Sequence, residues 1–278
     1  MKSVKYILLT LLSVMMCCCE SVKKEKTDVE KAGLKGDVKT LTEYQAVINS
    51  GDLIQGFMTS KTEFDEMGNQ TCVSMYDEEG NMVQKRLSKY DGNNRKELTE
   101  VRGASDALVR SIVYHYDEKG NVDECQDFNL NGILMYRAIN RYDSLGNLIE
   151  NRIETSDGKF VSKTTMAYDK QGNDTLLCTY EDEEKISQRE SRSYDAKGNV
   201  VDLCVYNSLN MLLMRENYTY DKRGNMSTSH SFAAAAALES GKIFQYENFD
   251  KHGNYLKGKL LTMDSTLVGG TIRSIEYY

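Results

Sequence analysis

The chain contains no proline and no tryptophan. At an average usage near ~5%, about fourteen prolines would be expected in a chain of this size. Their absence excludes collagen-like, proline-rich linker and PxxP-ligand readings. Histidine is also scarce: His115, His230 and His252 are the only three. They fall at unrelated offsets in the repeat described below, and neither HExxH nor GxSxG occurs, so no metalloprotease or hydrolase motif is present. No CxxC lies outside the run Cys17–Cys19, which removes the usual zinc pattern. The Asp-rich turns lack the spacing of an EF-hand or of a calcium β-helix, and turn formation explains them. The formal net charge is −7 with no basic stripe, which argues against nucleic-acid binding. No apolar run reaches the ~20 residues that a membrane-spanning helix needs.

What remains is enough for a folded protein. The 278 residues are 40% hydrophobic and 28% charged, which suits one or two domains with a buried core. Twenty Gly and eighteen Tyr supply the turns and the aromatic mass.

The N-terminus reads as an address. Lys2 and Lys5 precede the apolar run YILLTLLSVMM (6–16), which ends at three cysteines and turns abruptly polar (ESVKKEKTDVEK). This has the size of a secretory h-region. It resembles a bacterial lipoprotein signal, in which cleavage falls just before a cysteine that is then lipidated. Met16 suits the position before Cys17 poorly, which leaves Cys18 or Cys19 as the lipidated residue. Acyl chains would hold the protein at a membrane through burial worth about 0.8 kcal/mol per CH₂. An ordinary cleaved signal peptide and a single membrane anchor are the alternatives. The expected organisation is a signal peptide over 1–18, a charged solvated tether over 19–36 and a folded domain over 37–278.

A repeat dominates that domain. Aromatic-Asp-x-x-Gly-Asn recurs as FDEMGN (64–69), YDEKGN (116–121), YDSLGN (142–147), YDKQGN (168–173), YDAKGN (194–199), YDKRGN (220–225) and FDKHGN (249–254), with YDGNNR (90–95) as a degenerate copy. Successive anchors are 26 residues apart from Phe64 to Tyr220. The last interval, to Phe249, is 29, and the Ala-rich stretch 233–241 is the expected insertion. Each repeat holds a second half. An aromatic lies twelve residues past the anchor (Tyr76, Phe128, Tyr180, Tyr206, Phe232) and an apolar column six further on (Met82, Leu108, Leu134, Phe160, Ile186, Leu212). Turn residues separate the two, as in DEEGN (77–81) and NLNG (129–132).

A repeat therefore reads strand, turn, strand, turn. Asp opens a type I turn through its own side chain, and Gly closes it at positive φ in a G1 bulge. The expectation is an all-β protein: an antiparallel meander of about eighteen strands, starting at 38–46, in a curled or shell-like sheet. Whether the sheet closes is left open. Two free edges would be available for pairing with a partner strand or a second copy.

The hexads resemble the YD-repeat, or Rhs-type, family over about 64–254. The resemblance implies a spiralling β-sheet shell in an extracytoplasmic setting. With about eight repeats the chain is expected to be too short to enclose a cargo, and without proline it lacks the self-cleavage motif of the large members.

Two side-chain columns invite functional readings. Cys178 and Cys204 share one repeat offset, which puts them two strands, about 10 Å, apart. A disulfide needs Cα atoms within about 7 Å, so the two are expected to be unbridged. Tyr116, Tyr142, Tyr168, Tyr194 and Tyr220 form a ladder on one face. They either brace the fold, hydroxyls at the wet edge, or offer an aromatic platform to a partner protein or to sugar rings. The lack of tryptophan weighs against sugars.

The functional expectation is a non-catalytic, lipid-anchored scaffold at the cell outer membrane that binds an envelope or surface protein, with no cofactor and no metal. A carbohydrate-binding surface lipoprotein is the first alternative, and an envelope polymer hydrolase the second.

Overall fold

The computed structural model describes residues 26–234 and 238–278. The 18 strands run β1 Val38–Asn49, β2 Asp52–Phe64, β3 Gln70–Tyr76, β4 Met82–Tyr90, β5 Lys96–Gly103 and β6 Leu108–Tyr116. They continue as β7 Val122–Asn129, β8 Leu134–Tyr142, β9 Leu148–Thr155, β10 Phe160–Tyr168, β11 Asp174–Tyr180 and β12 Ile186–Tyr194. The last six are β13 Val200–Asn207, β14 Leu212–Tyr220, β15 Met226–Ala233, β16 Leu238–Phe249, β17 Tyr255–Thr262 and β18 Leu267–Tyr277. One short helix, α1 Asp28–Lys31, precedes them. The strands form a single antiparallel meander, as expected. The anchor Tyr residues end β4, β6, β8, β10, β12 and β14, and the apolar column from Met82 to Leu212 opens the same strands.

The sheet closes. β1 pairs with β18, with Leu41 opposite Ile275 and Tyr44 opposite Ile272, and β9 pairs with β10, so the ring is unbroken. Closure corrects the expectation of two free edges: among the described residues no strand is left to pair with a partner. Eighteen strands at ~4.8 Å, tilted by ~40°, make a round ring roughly 35 Å across, wider than side chains can fill. Packing is accordingly local. Ile112, Val122, Cys125, Ala138 and Ile153 form one cluster along β6–β9. Buried polar groups are paired beside it: Arg110 donates to Asp127 at 2.8 Å, and Asn151 to Asn140 at 2.7 Å.

The YD turns follow the chemistry expected of their residues. Asp117 Oδ1 accepts from the backbone N–H groups of Lys119 (2.9 Å) and Asn121 (2.8 Å), and Oδ2 from the Asn121 side-chain amide (2.8 Å). Gly120 closes the turn at φ 88°. In the degenerate copy, Asn94 takes the positive φ (63°) and the Arg95 side chain takes the place of Asn, bonding Asp91. Each such turn shifts the register by one residue at the anchor, as between His115 and Tyr116.

Two boundaries differ from the expectation. Ala233 pairs with Leu238, and β15–β16 keeps the pairing of the earlier repeats. The extra residues of the last interval therefore lie in β16, twelve residues long against nine in β14, with Asn248 at φ 54°. Residues 27–36, expected to be part of a solvated tether, are folded instead. Thr27 and Glu30 make a reciprocal capping box on α1. Val29 and Leu34 are buried with Val38, Leu41 and Phe64, against Ile275 and Tyr277. The segment thus covers the junction of β1, β2 and β18.

Candidate functional site

The closed meander has two rims, and they differ in chemistry. One carries the YD turns and is called the YD rim. The other carries the connections within repeats and is called the distal rim.

At the YD rim the Tyr ladder is bonded into the wall. The hydroxyls of Tyr116, Tyr142, Tyr168, Tyr194 and Tyr220 donate to the carbonyls of Lys96, Val122, Leu148, Asp174 and Val200, at 2.7–2.9 Å. Each acceptor is the first residue of the preceding strand, so each brace ties a strand end to its neighbour's start. All five side chains are half-buried. The structure therefore aligns the five residues, one per repeat, with their hydroxyls engaged by backbone. Only ring surface is left for a platform.

The N-terminal segment lies along this rim. Val29 N–H donates to Gly68 O at 3.2 Å, and Asp28 accepts from Gln70 N–H at 2.9 Å and from the Tyr90 hydroxyl at 3.0 Å. Lys35 and Asn254 exchange two hydrogen bonds, at 2.9 and 2.8 Å. The described chain thus begins at the YD rim. Cys18 and Cys19 lie outside the described residues.

The turn carboxylates are electrostatically settled. The backbone N–H of Asn173, then the Asn173 side-chain amide, holds Asp169 below the usual carboxylate range. The Asn199 side-chain amide, then its backbone N–H, does the same for Asp195. These groups are consumed by turn formation. Among the described residues no group of His, Cys, Asp and Glu could hold a metal ion. His252 stacks on Tyr277, with ring centroids 4.3 Å apart, and His115 and His230 are exposed. Cys178 lies opposite Arg189, and Cys204 opposite Ser191, so β12 runs between them; both thiols are buried and free.

The distal rim is apolar and acidic. Val83, Val109, Met135, Val161, Leu213 and Val268 are exposed, each the second residue of its strand. Turn tips add Leu130 and Leu209, which are 62% and 75% exposed. Between them stand the acidic turns Glu78–Glu79 and Glu181–Glu184, also exposed. This row escaped the sequence reading, although it was visible there. From Val83 to Val161 it sits one residue past the apolar column at the same 26-residue spacing, which Ser187 interrupts and Leu213 resumes, while Val268 falls outside it.

A closed ring of YD repeats with a covered seam is a β-shell, a scaffold fold. The Teneurin YD-shell family model matches residues 47–251, well over half of the sequence, and the chain belongs to that family. No curated protein matches it. Among solved structures it is similar to a porin-like protein from Bacteroides uniformis at 10% identity, covering 87% of this chain and 99% of that one, with a TM-score of 0.47. A porin-like protein from Bacteroides vulgatus gives 9% identity, the same coverage and a TM-score of 0.38. The TcdB2-TccC3-Cdc42 structure gives 11% identity over 83% of this chain and a TM-score of 0.29, and the chain spans about a fifth of the matched chain (19%). All three TM-scores are below 0.5, and the likenesses carry no weight for function.

Proposed function

We propose that this β-shell is a lipid-anchored scaffold of the cell outer membrane that binds a partner protein and performs no catalysis. The carrying observation is the exposed apolar row of the distal rim, on the opposite side of the barrel from the start of the described chain. These side chains, with the apolar turn tips Leu130 and Leu209, offer an exposed apolar surface along one rim to a partner. An anchor on Cys18 or Cys19 would sit a few residues before the YD rim. The distal rim would then point away from the membrane, toward a partner.

The test has two arms. Metabolic labelling with a radioactive fatty acid is expected to mark the full chain, and the double variant Cys18→Ser/Cys19→Ser is expected to lose the label. In-cell crosslinking from a photoreactive residue at Leu130 is expected to trap a discrete partner, and Leu209→Ser with Met211→Ser is expected to abolish the adduct. A chain without label overturns the anchor. A crosslinking pattern indifferent to the rim variants overturns the docking surface.

A further inference from the structure

Two successive positions depart from the repeat, and both depart toward positive charge. Seven of the eight hexads close on Asn, whereas the degenerate copy closes on Arg95. The residue after the hexad opens the next strand. It is neutral or acidic in those seven copies, from Gln70 to Tyr255, and is Lys96 here. The turn itself requires neither cation. Asn121 closes its turn on Asp117 with an uncharged amide, as Arg95 closes on Asp91 through Nε and Nη2, at 2.9 and 2.7 Å.

Arg95 and Lys96 line one pocket of about 130 Å³ at the YD rim, and the N-terminal segment brings Lys26 and Lys31 to it. Tyrosine rings back two of the cations. The Arg95 guanidinium lies 4.7 Å from the centroid of the Tyr116 ring, and the Lys96 ammonium 5.6 Å from that of Tyr90. Among the described residues Asp28 is the one carboxylate of the lining, and Asp91 is bonded to Arg95. Four cations against these two carboxylates leave an excess of two positive charges, in a chain whose net charge is −7. The carboxylates of the flanking turns, Asp65 and Asp117, lie outside the lining and are bonded by Asn69 and Asn121. The cations are felt at Asp28. Burial pushes its carboxyl up, yet the Gln70 N–H and the charges of Lys96 and Lys31 bring it below the ordinary aspartate value.

Size and charge define what fits. The pocket is smaller than the ~300–1,000 Å³ of a drug-sized ligand site, so it takes one small group. A carboxylate carries a single negative charge. A phosphate monoester carries about −1.5 to −2 at pH 7, which matches the excess, and its oxygens suit converging Arg and Lys donors. We infer that the YD-rim pocket around Arg95 and Lys96 binds the phosphate group of a phosphate monoester. The inference stands on the pocket alone and needs neither the lipid anchor nor the distal rim. A free organic phosphate and a lipid headgroup offer the same chemistry, and the test separates the two.

The sample is the full chain carrying Cys18→Ser/Cys19→Ser, which takes lipid attachment out of the comparison. Calorimetry with glycerol phosphate reads the free ligand, with acetate as the carboxylate control. Flotation with phosphatidylcholine vesicles that contain phosphatidic acid reads the lipid-borne one, with phosphatidylcholine alone as the control. At least one phosphate probe is expected to bind. Binding of the vesicles alone assigns the pocket to a lipid headgroup, and binding of glycerol phosphate means that a free phosphate suffices. Arg95→Asn and Lys96→Val bring in residues that other repeats carry at these positions, so the fold is expected to persist. Each is expected to weaken binding roughly tenfold or more, as the loss of a charge-assisted hydrogen bond does. Lys197→Ala, which removes an exposed cation on another YD turn, is expected to leave binding unchanged. Failure of both phosphate probes to bind, acetate binding as tight as glycerol phosphate, or binding insensitive to Arg95→Asn and Lys96→Val would each overturn the assignment.

Discussion

The hydroxyl of Tyr142 donates to the carbonyl of Val122 at 2.9 Å, twenty residues earlier in the chain. The same carbonyl accepts from the Asn140 side chain at 2.8 Å. The brace recurs at each anchor Tyr from Tyr90 to Tyr220, always over twenty residues. It locks the end of one strand to the start of its neighbour at the point where the turn has broken the ladder register. The tyrosine of the hexad therefore does what the backbone cannot do at a bulge: it satisfies the first carbonyl of the adjoining strand.

Removing the hydroxyl alone should be measurable. Tyr168→Phe is expected to cost about 1 kcal/mol, the net worth of one hydrogen bond. Tyr168→Ala, which also removes the half-buried ring, is expected to cost roughly 3 kcal/mol. Urea unfolding of both variants checks the split. A Tyr168→Phe variant as stable as the unchanged protein would mean that the ring alone matters and the brace is incidental.

The turns make a second prediction. Gly120 stands at φ 88° with open space around it, so a methyl group there meets only backbone strain. Gly120→Ala is expected to destabilise by about 1–2 kcal/mol. Gly92, in the neighbouring turn, also has open space but not a positive φ. Gly92→Ala is expected to be neutral or slightly stabilising, because it restricts the unfolded chain. Thermal melts of the pair separate conformational strain from crowding.

Much of this was legible in the sequence. The strand ends at Leu134 and Tyr142, the turn roles of Asp143 and Gly146, and the strand count all follow from a spacing that repeats. Closure was not legible, because the pairing of Leu41 with Ile275 joins chain ends that no repeat relates. The docking of residues 27–36 was hidden by composition. The segment is rich in charge, and its two core residues, Val29 and Leu34, are too few to make a pattern, although Thr27 and Glu30 already spelled a capping box. The alanine run suggests the insertion by its low complexity, whereas Tyr246, which keeps the 26-residue spacing, marks the extension as lying later in β16.

Acid should unfold the shell through its turns. Side-chain and backbone amides of the hexad asparagine hold Asp143, Asp169 and Asp195 below the ordinary aspartate value. A carboxyl with a lowered folded pKa stabilises the fold at pH above its unfolded value. That stabilisation is lost as pH falls through the folded value. Stability is therefore expected to be flat between about pH 8 and pH 5 and to fall below about pH 4. Urea midpoints across this range test it. Asp169→Asn with Asp195→Asn is expected to lower the midpoint at neutral pH and to flatten the acid slope. An unchanged slope would assign acid unfolding to other carboxylates.

The seam between β1 and β18 is the place where the ring should open first. Every other adjacent pair of strands is joined by a turn or a short loop, whereas this pair closes a loop that spans the whole domain, with the largest entropic cost. Leu34 lies over that seam, 3% exposed, within the cluster of Val38, Leu41, Phe64, Ile275 and Tyr277. Leu34→Ala is expected to cost about 2–4 kcal/mol. The loss should also be local in the native state, because it acts on one junction. Amide hydrogen exchange is expected to speed up at Leu41, Tyr44 and Ile272 while Ala138 and Ile153, in the β6–β9 cluster, keep their protection. Faster exchange throughout would mean that the barrel unfolds as one cooperative unit and that residues 27–36 stabilise the whole of it. Unchanged exchange at the seam would mean that β1 and β18 hold closed without the N-terminal segment.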